Sequence, residues 1–159
     1  MGEITYISKA VEDTEMLGKI IAKYVNKGLI ICLNGELASG KTAISRVIFN
    51  ELGFSDGFCS PSYTIINQYV ANSKIAYHMD VYRLECPEEL LYTGFYDCLE
   101  QAEFTVIEWA SMIEEIIAHK DRLILNFSYS NIENERIIQV LSKNEDLLLD
   151  IKALQNGER

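Results

Sequence analysis

The residues best placed to do chemistry are Gly35, Gly40, Lys41 and Thr42, within the stretch "NGELASGKTAIS". A glycine, four residues, then Gly-Lys-Thr is the spacing of a phosphate-binding loop. In such a loop successive backbone N–H groups face a β-phosphate and the dipole of the following helix adds positive potential. Lys41 would reach the β- and γ-phosphates, and Thr42 would offer its hydroxyl to Mg²⁺. The run Gly35, Glu36, Leu37, Ala38, Ser39, Gly40, Lys41, Thr42 and Ala43 is therefore a candidate ATP-binding segment. Its interior, Glu36 to Ser39, holds no glycine. The Cβ of Ala38 disfavours a positive φ there, which bears on loop flexibility and nucleotide affinity.

Hydrolysis of a nucleotide also needs a carboxylate for the magnesium shell and a group that positions water. Asp80 closes "IAYHMD" and Glu108 closes "FTVIEW". In an open α/β sheet, strand carboxyl ends line one crevice, so both acids are candidates for metal binding and catalysis together with Lys41 and Thr42. Each alone also reads as a solvated strand-end acid. Trp109, the only tryptophan, could wall the site, face a partner or pack in the core. His78, inside an apolar strand, reads more readily as a hydrogen-bonded structural residue than as a base. Thr64 in "CSPSYTIINQY" is a candidate contact to metal and γ-phosphate, by analogy with switch segments. Ser60, Pro61 and Ser62 equally describe an ordinary turn entering an edge strand.

These residues need a strand before the loop and a helix after it. "LIICLN" is a short continuous apolar run, the pattern of a strand buried on both faces, and "KTAISRVIFNELGF" places Ile44, Val47, Ile48 and Leu52 on one helical stripe. Upstream, "EITYIS" alternates as a strand, and Leu17, Ile20, Ile21 and Tyr24 repeat at helical spacing. Downstream, "YTIINQYV" and "KIAYHMD" predict a hairpin turning at "ANS", followed by helical pieces at "CPEELLYTG" and "FYDCLEQ". "FTVIEW" then predicts a buried strand, "ASMIEEIIAHK" a helix, and "RLILNFSY" with "ERIIQVLS" two closing strands. Residues 145–159 form a possible helical tail. The pattern implies one domain over residues 1–159, a three-layer α/β fold of the P-loop NTPase kind, with a mostly parallel central sheet and antiparallel additions.

Composition narrows the function classes. The 159 residues suit one domain, and 48% hydrophobic with 24% charged residues excludes disordered and fibrous classes. No apolar run approaches a membrane span, and "MGEITYIS" lacks the features of a signal peptide, so a cytoplasmic protein is expected. Cys32, Cys59, Cys86 and Cys98 form no C-x-x-C pair, which argues for reduced thiols over a zinc site. A net charge of −10 repels phosphate backbones and disfavours autonomous nucleic-acid binding.

Taken in order, these pieces resemble the bacterial ATPase family required for threonylcarbamoyladenosine modification of tRNA, known as TsaE or YjeE. The marks are the phosphate loop, "SPSYTIINQY" resembling S-P-T-[FY]-T-L-V-N-x-Y, "HMDVYRL" resembling H-x-D-x-Y-R-L, then "PEEL", Gly94 and "IEW". The resemblance covers nearly the whole chain. It implies an ATPase working with a two-subunit threonylcarbamoyl transferase of actin-like-fold proteins, with tRNA held mainly by those partners. It also implies that Lys41 and Thr42 contact phosphate and Mg²⁺, that Asp80 and Glu108 surround metal and attacking water, and that Trp109 is a functional aromatic beside them. The chain departs from the family pattern at Glu36, Ala38, Ser39, Ala43 and Ser62.

Two other readings share this site. A small metabolite kinase would use Asp80 as base, but Arg46 and Arg83 are the only arginines between the loop and residue 121, thin for an arginine lid. A nucleotide-gated interaction module would bind ATP with negligible turnover, separable only by kinetics with partners. A GTPase is weaker still, since "VNKG" lacks the aspartate of N-K-x-D. No arginine finger is expected near the site.

Overall fold

The computed structural model describes residues 1–55, 57–59, 61 and 65–158. Its elements run β1 (Gly2–Ser8), α1 (Val11–Lys23), β2 (Leu29–Asn34), α2 (Lys41–Glu51), β3 (Ile66–Ala71), β4 (Lys74–Asp80), a 3₁₀ segment Pro87–Tyr92 and α3 (Phe95–Gln101). They continue with β5 (Phe104–Glu108), a 3₁₀ segment Ala110–Ile113, α4 (Glu114–Ile117), β6 (Arg122–Tyr129), β7 (Arg136–Ser142) and α5 (Glu145–Gln155).

All seven strands form one sheet in the order β1-β7-β6-β2-β5-β4-β3. The four central strands are parallel, β2 lying between β5 and β6 and β5 between β2 and β4. The flanking pairings β1–β7, β6–β7 and β3–β4 are antiparallel. This is the expected mixed α/β architecture.

Strand alternation divides the core into two layers. Ile31 and Leu33 of β2 join Leu17, Ile21, Ile44, Ile48, Phe49, Leu147 and Ile151 on one face. Ile30 and Cys32 join Leu90, Phe95, Leu99, Ile113 and Ile117 on the other. Each such buried Leu or Ile contributes about 1.5–3 kcal/mol. A strand with apolar residues on both sides can only lie between two helical layers, which is why β2 is central. Burial pushes the Cys32 thiol up to about 12, so it behaves as a small core hydrophobe. The tail helix α5 packs on β1 and α1. Asn144 caps it by accepting from the Leu147 N–H at 3.1 Å.

The hairpin turns where expected: Asn72 and Ser73 adopt φ of 49° and 63° between the closing pair Ala71 and Lys74. Two positive φ values in a two-residue loop match the right-handed twist of the strands. The helical piece expected from Pro87 onward is present as a 3₁₀ segment over Pro87–Tyr92, with the backbone N–H groups of Glu85 and Cys86 both donating to the Glu89 carboxylate at its start. One expectation needs correction. "ASMIEEIIAHK" is not one helix, because Ile113 leaves helical geometry at φ −125° and ψ 19°. Its first turn is held to the end of β2 instead: Trp109 N–H donates to the Leu33 carbonyl at 2.8 Å and Ser111 N–H to Asn34 Oδ1 at 2.8 Å. No helix among the described residues is long and apolar enough to cross a membrane.

Candidate nucleotide site

The loop from Gly35 to Gly40 joins the end of β2 to the start of α2 and rests on β6. Gly35 has φ 144°, and a Cβ there would stand 2.7 Å from the Phe127 carbonyl oxygen. Glycine is required by contact as well as by conformation. Gly40 has φ 112°, but the nearest atom to a Cβ would be 3.7 Å away, so only its backbone conformation asks for glycine. Ala38 also lies in the left-handed region, at φ 60°. The Cβ that disfavours this conformation has not prevented it, at a cost of about 1–2 kcal/mol.

Lys41 opens α2 and turns back over the loop. Its Nζ donates to the carbonyls of Gly35 at 2.6 Å and Glu36 at 2.7 Å, and lies 3.4 Å from Ser39 Oγ. The same ammonium sits 4.5 Å from the centroid of Trp109. Burial lowers its pKa, while Glu108 and then Asp80 oppose that shift. Trp109, half-buried with φ 63°, also packs against Tyr82 at 4.6 Å.

Asp80 and Glu108 end adjacent parallel strands and are in register. Glu108 is buried, 3% exposed. It accepts from the Thr42 hydroxyl at 3.1 Å and 3.4 Å and is 2.8 Å from His78 Nε2. Asp80 is only half-buried, and its Oδ1 accepts from the Tyr82 N–H at 3.0 Å. Burial raises the Asp80 pKa. The Tyr82 N–H works against that, Glu108 reinforces it, and His78 and Lys41 oppose it.

Leu37, Ala38, Ser39, Gly40, Lys41, Thr42 and Ala43 line one cleft of about 320 Å³ with Asp80, Glu108 and Trp109. Gly35 and Glu36 stand behind it, their carbonyls engaged by Lys41. Thr64, with Ser60 and Ser62, lies outside the described residues. A hard cation suits this donor set of hydroxyl and carboxylate oxygens. Among the described residues no group of three or more His, Cys, Asp or Glu could hold a metal by itself. One or two carboxylates completed by phosphate and water is the arrangement Mg²⁺ ordinarily takes.

His78 is fully buried, stacked on Phe58 at 5.3 Å and 2.8 Å from Glu108, the hydrogen-bonded structural residue that its place in an apolar strand suggests. His78 and Asp80 lie two apart on one face of their strand. Two participants escape sequence reasoning, Arg136 and Tyr129. Arg136, with Asn134 and residues of the β1–α1 junction, lines a second cleft of about 480 Å³, shared with Ala38, Ser39, Gly40 and Ala43. Tyr129, at the end of β6, donates its hydroxyl to the Leu37 carbonyl at 2.6 Å.

Residues 8–138 match the family profile described as threonylcarbamoyl adenosine biosynthesis protein TsaE. The tRNA threonylcarbamoyladenosine biosynthesis protein TsaE of Haemophilus influenzae is 31% identical over 119 residues, covering 75% of both chains. The protein of the same name from Rickettsia felis is 30% identical over 141 residues, covering 87% of this chain and 81% of its own. The crystal structure of Bacillus subtilis YdiB shares the fold with a TM-score of 0.73 at 23% identity, over 99% of this chain and 97% of that one.

Proposed function

Because this chain belongs to the TsaE family of threonylcarbamoyl adenosine biosynthesis proteins, we propose that it binds ATP with Mg²⁺ and hydrolyses it in tRNA threonylcarbamoyladenosine formation. It does so in support of the two-subunit threonylcarbamoyl transferase, which holds the tRNA and modifies the adenosine beside the anticodon. One observation carries this reading: Thr42, at the first turn of α2, is hydrogen-bonded at 3.1 Å to the strand-end carboxylate Glu108. That contact joins the phosphate loop to the acid edge of the sheet in one cleft.

Each residue then has a role. The loop N–H groups and Lys41 bind phosphate, the ammonium exchanging the carbonyls of Gly35 and Glu36 for phosphate oxygens. Thr42, Asp80 and Glu108 would hold Mg²⁺, which when bound neutralises charge on the phosphates. Asp80 and Glu108 also offer acceptors for the proton of attacking water. His78 holds Glu108 in place from behind. Trp109 covers Lys41 and limits water around it. The second cleft shares Ala38, Ser39, Gly40 and Ala43 with the first, so the nucleoside fits there while the phosphates occupy the loop. A net charge of −10 is compatible with this division of labour, because tRNA contact falls to the partners.

ATP hydrolysis by the wild type, Lys41→Ala and Glu108→Ala, alone and with both transferase subunits, tests the reading. Turnover should be weak alone, rise in the complex and vanish in both variants, and ATP should promote co-purification with the transferase. Unchanged turnover in both variants overturns the site. Phosphorylation of a small metabolite at enzymatic rates, without transferase association, would replace it by the kinase reading.

A further inference from the structure

Ala38 holds φ 60° in an exposed loop, where neither packing nor a glycine explains it. Rotation about its φ swings the Leu37–Ala38 peptide plane. The carbonyl of that plane is the group that Tyr129 holds, at 2.6 Å. Tyr129 is itself braced. Arg136 is its antiparallel partner in register on β7, with its guanidinium 4.5 Å from the Tyr129 ring centroid and Nη1 donating to the Glu135 carbonyl at 2.9 Å. Two residues earlier on the same face of β6, Phe127 lies under Gly35 and Gly40. The loop is therefore fastened to the sheet at its first glycine, at its last and at its crown.

We propose that Tyr129, braced by Arg136, is a positioning residue of the nucleotide site. Its hydroxyl pins the Leu37 carbonyl and thereby holds Ala38 in the left-handed conformation that glycine would adopt unaided. The Ala38 N–H lies trans to that carbonyl across a planar peptide, so pinning one fixes the other away from Tyr129. Without the latch an alanine relaxes to negative φ, the peptide turns over, and one loop N–H is lost to the phosphate. The inference rests on the nucleotide reading above, and its test separates the two.

ADP binding with Mg²⁺ is measured by calorimetry for the wild type, Tyr129→Phe, Ala38→Gly and the double variant. Tyr129→Phe should weaken binding by roughly three- to tenfold, the scale of one hydrogen bond. In the Ala38→Gly background the same change should cost less than about twofold, because glycine needs no latch. Equal losses in both backgrounds, or none in either, overturn the proposal. Since the latch acts on the ligand-free chain, hydrogen exchange at the Ala38 and Ser39 amides gives a second readout. Exchange there should quicken in Tyr129→Phe without nucleotide, by a similar factor, and unchanged exchange counts against the latch. A wild type that binds no ADP while its exchange responds would remove the nucleotide reading and leave the latch standing.

Discussion

Glu108 is 3% exposed, and a carboxylate so buried survives only with partners of good geometry. Two are present: the Thr42 hydroxyl at 3.1 Å and His78 Nε2 at 2.8 Å. The Nδ1 atom of His78 is buried and has no hydrogen-bond partner among the described residues. An Nε2–H tautomer therefore satisfies Glu108 and strands no donor, whereas a doubly protonated ring would strand one. His78 also fills the space between Phe49 and Phe58, with centroids 5.9 Å and 5.3 Å away. His78→Ala removes a buried ring and leaves Glu108 short of a partner, so it should destabilise the fold by about 3–5 kcal/mol. Urea denaturation measures this, and a loss under about 1 kcal/mol would show that the pair carries little of the fold. Glu108→Gln keeps an acceptor for Thr42 and an oxygen for His78. It is the better variant for separating loss of charge from loss of structure.

The phosphate loop tests how an element is specified by few residues. Gly35→Ala would place a Cβ 2.7 Å from the backbone oxygen of Phe127 at φ 144°, and neither β6 nor β2 can shift without disturbing the parallel ladder between them. A loss of roughly 3 kcal/mol is expected, with nucleotide binding lost as well. Gly40→Ala meets nothing closer than 3.7 Å and should cost only about 1–2 kcal/mol from its positive φ. Thermal denaturation of the two variants checks the order, and equal losses would deny β6 its part in seating the loop. The spacing of Gly35, Gly40, Lys41 and Thr42 was readable because the element is local, as were β2 and α2 with their apolar run and helical stripe. The break at Ile113 was not. It goes with a contact between distant segments, Ser111 to Asn34, which local periodicity does not record. Asp80 and Glu108 could be nominated from strand ends and His78 as a hydrogen-bonded residue of an apolar strand, while Tyr129 and Arg136 became visible only through strand register.

Across the whole molecule, the two clefts that share the loop draw residues from the β1–α1 junction, α2, the ends of β4 and β5, the β6–β7 connection through Asn134 and the start of β7 through Arg136. A nucleotide bridging them would touch elements on both sides of the central strand, not a single loop. Its binding energy should therefore appear in global stability, since the site exists only when the sheet is assembled. At a concentration of about 100 Kd a ligand adds about 2.7 kcal/mol, and in a chain of this size each kcal/mol raises Tm by about 2–4 °C. Saturating ADP with Mg²⁺ should then raise Tm by about 5–10 °C in the wild type and leave Lys41→Ala nearly unmoved. Chelation of Mg²⁺ should reduce the wild-type shift, because Asp80 and Glu108 would face the phosphates without the cation that reconciles like negative charges. A wild type whose Tm ignores ADP would remove the nucleotide site. A shift of the same size with and without chelator would leave the phosphate loop in place and take the metal role away from the two strand-end acids.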